Sequence, residues 1–248
     1  MRYEGWVERY RKGDRERVWS ELDRLGSAVR DPEVLPEAQA VCDEMALRAR
    51  FNIRLVVKRL QLQGFTFHSN DDERTPVVPF RPAGAAAPQL LEWLEAEFGP
   101  VPLVLSSWLR LVGDVWLVGT HPDWSESSGA DPLVIELEGT RYPGLSIFNF
   151  FVSEYEAWVE ESAQDSAVGA FVLPVAPDRL HKANVSGGVP YGFRIPDAGA
   201  DAVFVAEGDL SFVSYLNLLF DNGGFAAWPS GVEVQRLRTP LTDGLLVL

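Results

Sequence analysis

Two short polar segments of the chain hold residue types that could do chemistry. The first is HPDW at 121–124, and the second is HKANVSGGVPY at 181–191. Together they contain two of the three histidines of the sequence. Imidazole and carboxylate groups transfer protons and bind ligands, so one hypothesis is an enzyme or a small-ligand or metal-binding protein with a pocket between these segments. The residues that would line this pocket are His121, Asp123, His181, Lys182 and Asn184.

A metal site would need three or four ligating groups close together. The candidates are His121, Asp123, Asp131 and His181, and no two of them have the spacing of a helix-borne motif such as HExxH. Ser186 lies five residues after His181 and could be paired with it, but there is no GxSxG frame. From these patterns we assign no metal, no cofactor and no catalytic residue, and whether the protein is an enzyme stays open.

The same two segments are also typical of turns. Pro122 fixes its own φ, Asp123 can accept hydrogen bonds from nearby amides, and Trp124 can then pack inward. Asn184 and the two glycines at 187–188 are suited to positive φ angles. We therefore favour a structural role for both segments over a catalytic one.

Composition bounds the class of protein. The chain has 248 residues, of which 46% are hydrophobic and 23% are charged, as in ordinary globular proteins. Its net charge of −14 would repel a nucleic-acid backbone, so we expect a basic protein partner instead.

The single Cys42 permits no intramolecular disulfide. Neither a signal peptide nor a spanning segment is recognisable, so we expect a cytoplasmic protein without membrane contact.

Periodicity predicts an α+β fold in three parts: an N-terminal helical segment at 1–67, a linker or irregular crossing at 68–88, and an α+β domain at 89–248 with a mainly antiparallel sheet flanked by helices. Asp14 is expected to cap the second helix. A long helix should follow from Pro36 and run without a breaker to Gly64. Its apolar positions fall near helical spacing, namely Val41, Met45, Ile53, Val56 and Leu60.

The period changes to short apolar strands after residue 114. The segment SIFNFFVSEYEAWVEESAQD at 146–165 fits either a strand followed by a helix or two strands. The segment DLSFVSYLNLLF at 209–220 is predicted to be a helix capped by Asp209 or Ser211. The last residues, VEVQRLRTPLTDGLLVL, are expected to add a final strand.

The segment LLEWLEAEFGPVPLVLSSWLRLVGDVWLVG at 90–119 resembles the start of SUKH-type domains, a superfamily of bacterial immunity proteins. The resemblance implies an α+β fold and a protein that neutralises a toxin by binding it. The matching residues are Phe98, Gly99, Pro102, Leu105, Trp108, Leu109 and Gly113.

A second resemblance covers roughly 90–228. The motifs GTHPDW, DPLVIE, APDRLHKANVSGGVPY and NGGF are similar to those of a set of uncharacterised bacterial proteins. This likeness implies no particular chemistry.

Aromatic residues next to acids suggest an interface. Trp124, Trp158 and Trp228 are the ones expected at the surface, since tryptophan is frequent at binding hot spots and an acidic rim would steer a basic partner. We therefore expect a non-enzymatic immunity or toxin-neutralising protein that occludes a basic toxin domain stoichiometrically. Besides the enzyme or ligand-binding hypothesis above, a third possibility is a scaffold subunit that associates through its N-terminal helices. The sequence does not fix the oligomeric state.

Overall fold

The computed structural model describes residues 5–139, 144–228 and 232–248. Its first part is helical, as expected from the sequence. Helix α1 spans Trp6–Arg11, α2 spans Arg15–Leu25, and α3 spans Leu35–Leu62 after a short 3₁₀ turn. Asp14 occupies the N-cap position of α2 as predicted, but its carboxylate accepts no hydrogen bond from a helix amide. The carboxylate instead accepts from the guanidinium of Arg9 at 2.8 Å.

Helix α3 contributes many of the buried residues of this part. Its residues at helical spacing are fully buried, namely Val41, Met45, Ile53, Val56 and Leu60. They contribute to one hydrophobic core together with residues of α4 (Ala87–Phe98) and α5 (Leu103–Leu111), and α3 packs mainly on α5. Cys42 lies in the same core, and burial raises the pKa of its thiol.

The strands form three small sheets in which every described pairing is antiparallel. In the first, β1 (Thr66–Phe67) pairs with β4 (Gly119–Thr120). The second has the order β2 (Phe80–Pro82), β3 (Gly113–Trp116) and β5 (Val134–Ile135). Strand β2 thus lies within the segment 68–88, for which the sequence predicted a linker or an irregular crossing.

The third sheet is a meander of four strands. It consists of β6 (Val172–Ala176), β7 (Tyr191–Arg194), β8 (Val203–Ala206) and β9 (Gly208–Ser211). A hydrogen bond of 2.7 Å from the amide of Glu136 to the carbonyl of Val175 connects it with the second sheet. Helix α8 (Phe212–Asp221) follows β9 directly, and of the two predicted caps it is Ser211 that accepts a bond from the amide of Ser214.

Two predicted elements differ from the structure. Residues Ile147–Gln164 form one continuous helix, α6, because Tyr155 and Trp158 lie on one helical face and pack together on Phe171. The expected last strand is also wrong: Val232–Thr242 form helix α9, which packs on α3 with Leu241 fully buried. In both cases the local sequence left a strand open, and the helix packs against a distant segment in the structure.

Candidate binding site

Asp178 holds the start of the 178–191 segment in place through hydrogen bonds of its carboxylate. Asp178 is the N-cap of the short helix α7 (Arg179–Lys182), and its carboxylate accepts from the amide of Leu180 at 2.7 Å. The same carboxylate binds Nδ1 of His181. Burial alone would raise the pKa of Asp178, but these hydrogen bonds outweigh it and hold the pKa below its usual value. His181 is thereby fixed at the surface by its own helical turn.

Lys182 points the other way, into the protein. Its Nζ lies 2.5 Å from Oδ1 of Asp131, and the two side chains are 0% and 4% exposed. The hydroxyl of Tyr191 donates to Oδ2 of the same carboxylate at 3.2 Å, and the ammonium lies 4.6 Å from the centre of the tyrosine ring. Desolvation lowers the pKa of Lys182 although Asp131 opposes the shift, and burial raises the pKa of Tyr191. Because this cluster is closed to solvent, its role is to hold the 178–191 segment onto the turn that precedes β5.

His121 lies in a turn, as the structural interpretation predicted. The amide of Trp124 donates to the carbonyl of His121 at 3.1 Å, and the amide of Asp123 donates to Nδ1 at 3.0 Å. The residue is 2% exposed, and burial lowers the pKa of the imidazole. Since Nδ1 is an acceptor, the proton of the neutral ring is on Nε2, which is buried without a hydrogen-bond partner among the described residues.

The predicted pocket residues have separate hydrogen-bond partners. His121 and His181 share no hydrogen bond within the described parts of the chain, and each is bound within its own segment. Asp123 is exposed at the surface of the first turn. Asn184 has a φ of 61°, as predicted, and its amide donates to Asp72 at 2.6 Å. The structure also brings together Lys182 and Asp131, a pair that neither predicted set of residues contained.

The three tryptophans predicted at the surface are partly or wholly packed. Trp124 is 7% exposed and stacks on Trp228 with ring centres 4.3 Å apart. Both Trp228 and Trp158 are partly buried, and their indole N–H groups donate to the carbonyls of Asn222 and Gly169. These residues connect neighbouring segments and present only part of their rings to a partner.

An open cavity of about 330 Å³ lies beside the N-terminus of α6, and none of the site residues predicted from the sequence lines it. The side chain of Ser146 caps this helix by accepting from the amide of Asn149 at 3.3 Å. Strand β6 forms one wall, and Pro177 and Pro190, near the two ends of the 178–191 segment, form another. The lining residues are Asn70, Glu136, Gly139, Leu145, Ser146, Ile147, Phe150, Pro174, Val175, Ala176, Pro177 and Pro190. Most of them are apolar, so the cavity suits an apolar group.

The surface around this cavity is both apolar and acidic. Of the 18 residues of α6 only Phe151 is buried, whereas Leu145 is 73% exposed and Phe150 is 43% exposed. Residues 144–170 include five acids and no lysine, arginine or histidine. The sequence did offer one signal for this site, since LSIFNFF has more large apolar residues than a single buried helix face needs.

Comparison of the chain with protein-family models, with curated proteins and with solved structures found no match. In the described ranges no group of three or more histidine, cysteine, aspartate or glutamate side chains is arranged to hold a metal ion. None of the described helices has the length and apolar character required to cross a membrane.

Proposed function

We propose that this protein is a non-enzymatic binding protein that receives an apolar side chain of a basic protein partner in the cavity beside α6. The observation that carries the proposal is the combination of an open apolar cavity of about 330 Å³ with the exposed rings and carboxylates of one helix. Ligand cavities of this size are large enough for an aromatic or aliphatic anchor, and such anchors dominate many protein interfaces.

The chemistry of the surroundings favours a cationic partner. The positions 150, 154, 157 and 161 share one line along α6, because they are spaced by four, three and four residues. Glu154 and Glu161 therefore follow Phe150 along the helix, and the described residues provide no ion-pair partner for either carboxylate. A partner with Lys or Arg beside an apolar anchor would meet complementary charge there, which raises the association rate and excludes acidic competitors.

Binding suits this site better than catalysis does. The titratable groups singled out from the sequence do not line the cavity: His121 is buried in its own turn, and Lys182 is paired inside the protein. The resemblance to immunity proteins leads us to propose a toxin domain with a basic surface as the partner. One copy of this protein would then cover the active site of the toxin.

A peptide probe tests the proposal. The probe is a fluorescein-labelled peptide with one phenylalanine between two Lys-Arg pairs, and its binding is followed by fluorescence anisotropy at low and high salt. We expect saturable 1:1 binding that weakens with salt, and a peptide that is recovered unchanged. The variant Phe150→Ser should weaken binding by about tenfold, because it removes one wall of the cavity.

The matched control is Leu210→Ser, which also removes an exposed apolar side chain, 40% exposed, from strand β9. This variant should bind the probe like the unaltered protein. Equal binding by Phe150→Ser, or equal binding of a peptide with alanine in place of phenylalanine, would show that the cavity is not the binding site.

A further inference from the structure

The outward face of α3 has a composition that its role in the core does not explain. Leu47 and Phe51 are 47% and 48% exposed, and Leu62 at the C-terminal end is 78% exposed. Together with the partly buried Leu55 they are spaced by four, four and seven residues, so they lie on one line about 22 Å long. We call these four residues the α3 stripe. It is an apolar surface that the described parts of the same chain leave open.

The α3 stripe lies in the most basic part of an acidic protein. Residues 45–62 include five basic side chains and no acid, in a chain with a net charge of −14. Arg50 and Arg59 donate to carbonyls of the protein, at Leu111 and Leu241. Arg54 and Lys58 are exposed, and within the described residues they form no hydrogen bond or ion pair. These two cations are available to a partner with carboxylates.

The chain itself contains a surface with the complementary pattern. On α6, Phe150 at the cavity is followed on the same side by Glu154 and Glu161, about 6 and 17 Å further along the axis. On α3, Phe51 is followed by Arg54 and Lys58, about 5 and 11 Å further along. The long side chains of arginine, lysine and glutamate can cover the difference between these spacings.

We propose that the α6 cavity of one copy binds the α3 stripe of a second copy, with Phe51 as the apolar anchor and Arg54 and Lys58 paired with Glu154 and Glu161. This inference rests on the proposed binding role of the cavity and names its occupant. Both surfaces are exposed in the single chain, so both are accessible to a second copy. The contact joins two different surfaces, so it is a head-to-tail contact that leaves one of each kind free on a dimer.

Two consequences follow for the assembly. A single helix seated on a cavity buries less surface than a standard stable interface, so association depends on protein concentration. Its ion pairs are solvent-exposed, so added salt weakens it. A basic partner and a second copy compete for the same cavity, and self-association therefore keeps the cavity covered when no partner is present.

The test uses the full chain and two variants with altered charge. The first, Arg54→Glu with Lys58→Glu, alters the stripe and leaves the cavity face intact. The second, Glu154→Gln with Glu161→Gln, removes the charges of the cavity face and leaves the stripe intact. Sedimentation velocity is measured for each protein alone and for a 1:1 mixture, over a range of concentration and salt. All four positions are on the surface of helices, so folding is checked by circular dichroism and melting temperature.

We expect concentration-dependent association of the unaltered protein, monomers for each variant alone, and a 1:1 heterodimer that does not grow further when the two are mixed. The control, Arg17→Glu with Arg24→Glu on α2, changes the net charge by the same amount as the stripe variant and should associate like the unaltered protein. A monomeric unaltered protein, or a mixture without heterodimer, would overturn the inference.

The peptide assay separates this inference from the proposed function. If the unaltered protein stays monomeric but binds the peptide with a Phe150-dependent affinity, the cavity binds proteins and only the second copy is rejected as its occupant. If the heterodimer forms, the peptide should dissociate it, because both ligands occupy the same cavity. A heterodimer that excess peptide leaves intact would contradict the shared site.

Discussion

Lys182 and Asp131 are 51 residues apart in the sequence and form an ion pair of 2.5 Å inside the protein. The pair fastens α7 and the segment after it to the turn before β5. The flanks of that same segment, Pro177 and Pro190, line the candidate binding cavity. The ion pair therefore helps to position one wall of the cavity, although neither Lys182 nor Asp131 lines that cavity.

Replacing Lys182 with methionine should destabilise the protein by about 3–5 kcal/mol, because the carboxylate of Asp131 would stay buried without its partner. Urea unfolding measured by circular dichroism gives this free energy. The control is Arg194→Met, which breaks an ion pair with Asp209 whose side chains are 41% and 52% exposed and should change the stability by about 1 kcal/mol or less. A similar small change for Lys182→Met would contradict the structural role assigned to the pair.

The buried imidazole of His121 should make stability depend on pH. Burial lowers its pKa in the folded protein below the value of about 6.5 expected in the unfolded chain. The unfolded state therefore binds more protons as the pH falls below 6.5, and the folded state loses stability until the lowered pKa is reached. In the variant His121→Phe this contribution should be absent, so the difference in unfolding free energy between the two proteins should change between pH 7 and pH 5. A difference that is constant over this range would show that the ring is not buried as neutral imidazole.

The close approach of Gly188 to Asp178 should make that glycine hard to replace. A Cβ atom at residue 188 would lie 2.6 Å from the carboxylate of Asp178, and the backbone φ of +76° disfavours other residues. Gly188→Ala should cost about 1–3 kcal/mol and should disturb the bond between Asp178 and His181, which can be followed through the ring resonances of His181 in NMR spectra. Gly129→Ala is the control, since a Cβ there meets nothing within 4 Å. Equal melting temperatures for the two variants would count against this packing.

Local patterns in the sequence were sufficient to predict much of the fold. The spacing of Val41, Met45 and Ile53 predicted the long helix and its buried face, and the turn chemistry of HPDW is confirmed by the bond between Trp124 and His121. These predictions succeeded because helical periodicity and turn preferences depend on residues a few positions apart. Local patterns were not sufficient for 147–164 and 232–242, where the predicted strands are helices that pack on Phe171 and on α3.

The amino-acid sequence by itself determined the α+β class, the helical N-terminal part and the acidic character of the protein, since these follow from composition and from near neighbours. Only the tertiary structure decided that Lys182 is buried against Asp131, that the rings of His121 and His181 bind different partners, and that a cavity opens beside α6. The physical reason is that burial, ion pairing and cavity shape depend on which distant segments meet. Those contacts are made by the packing of the whole chain, and no short stretch of sequence encodes them.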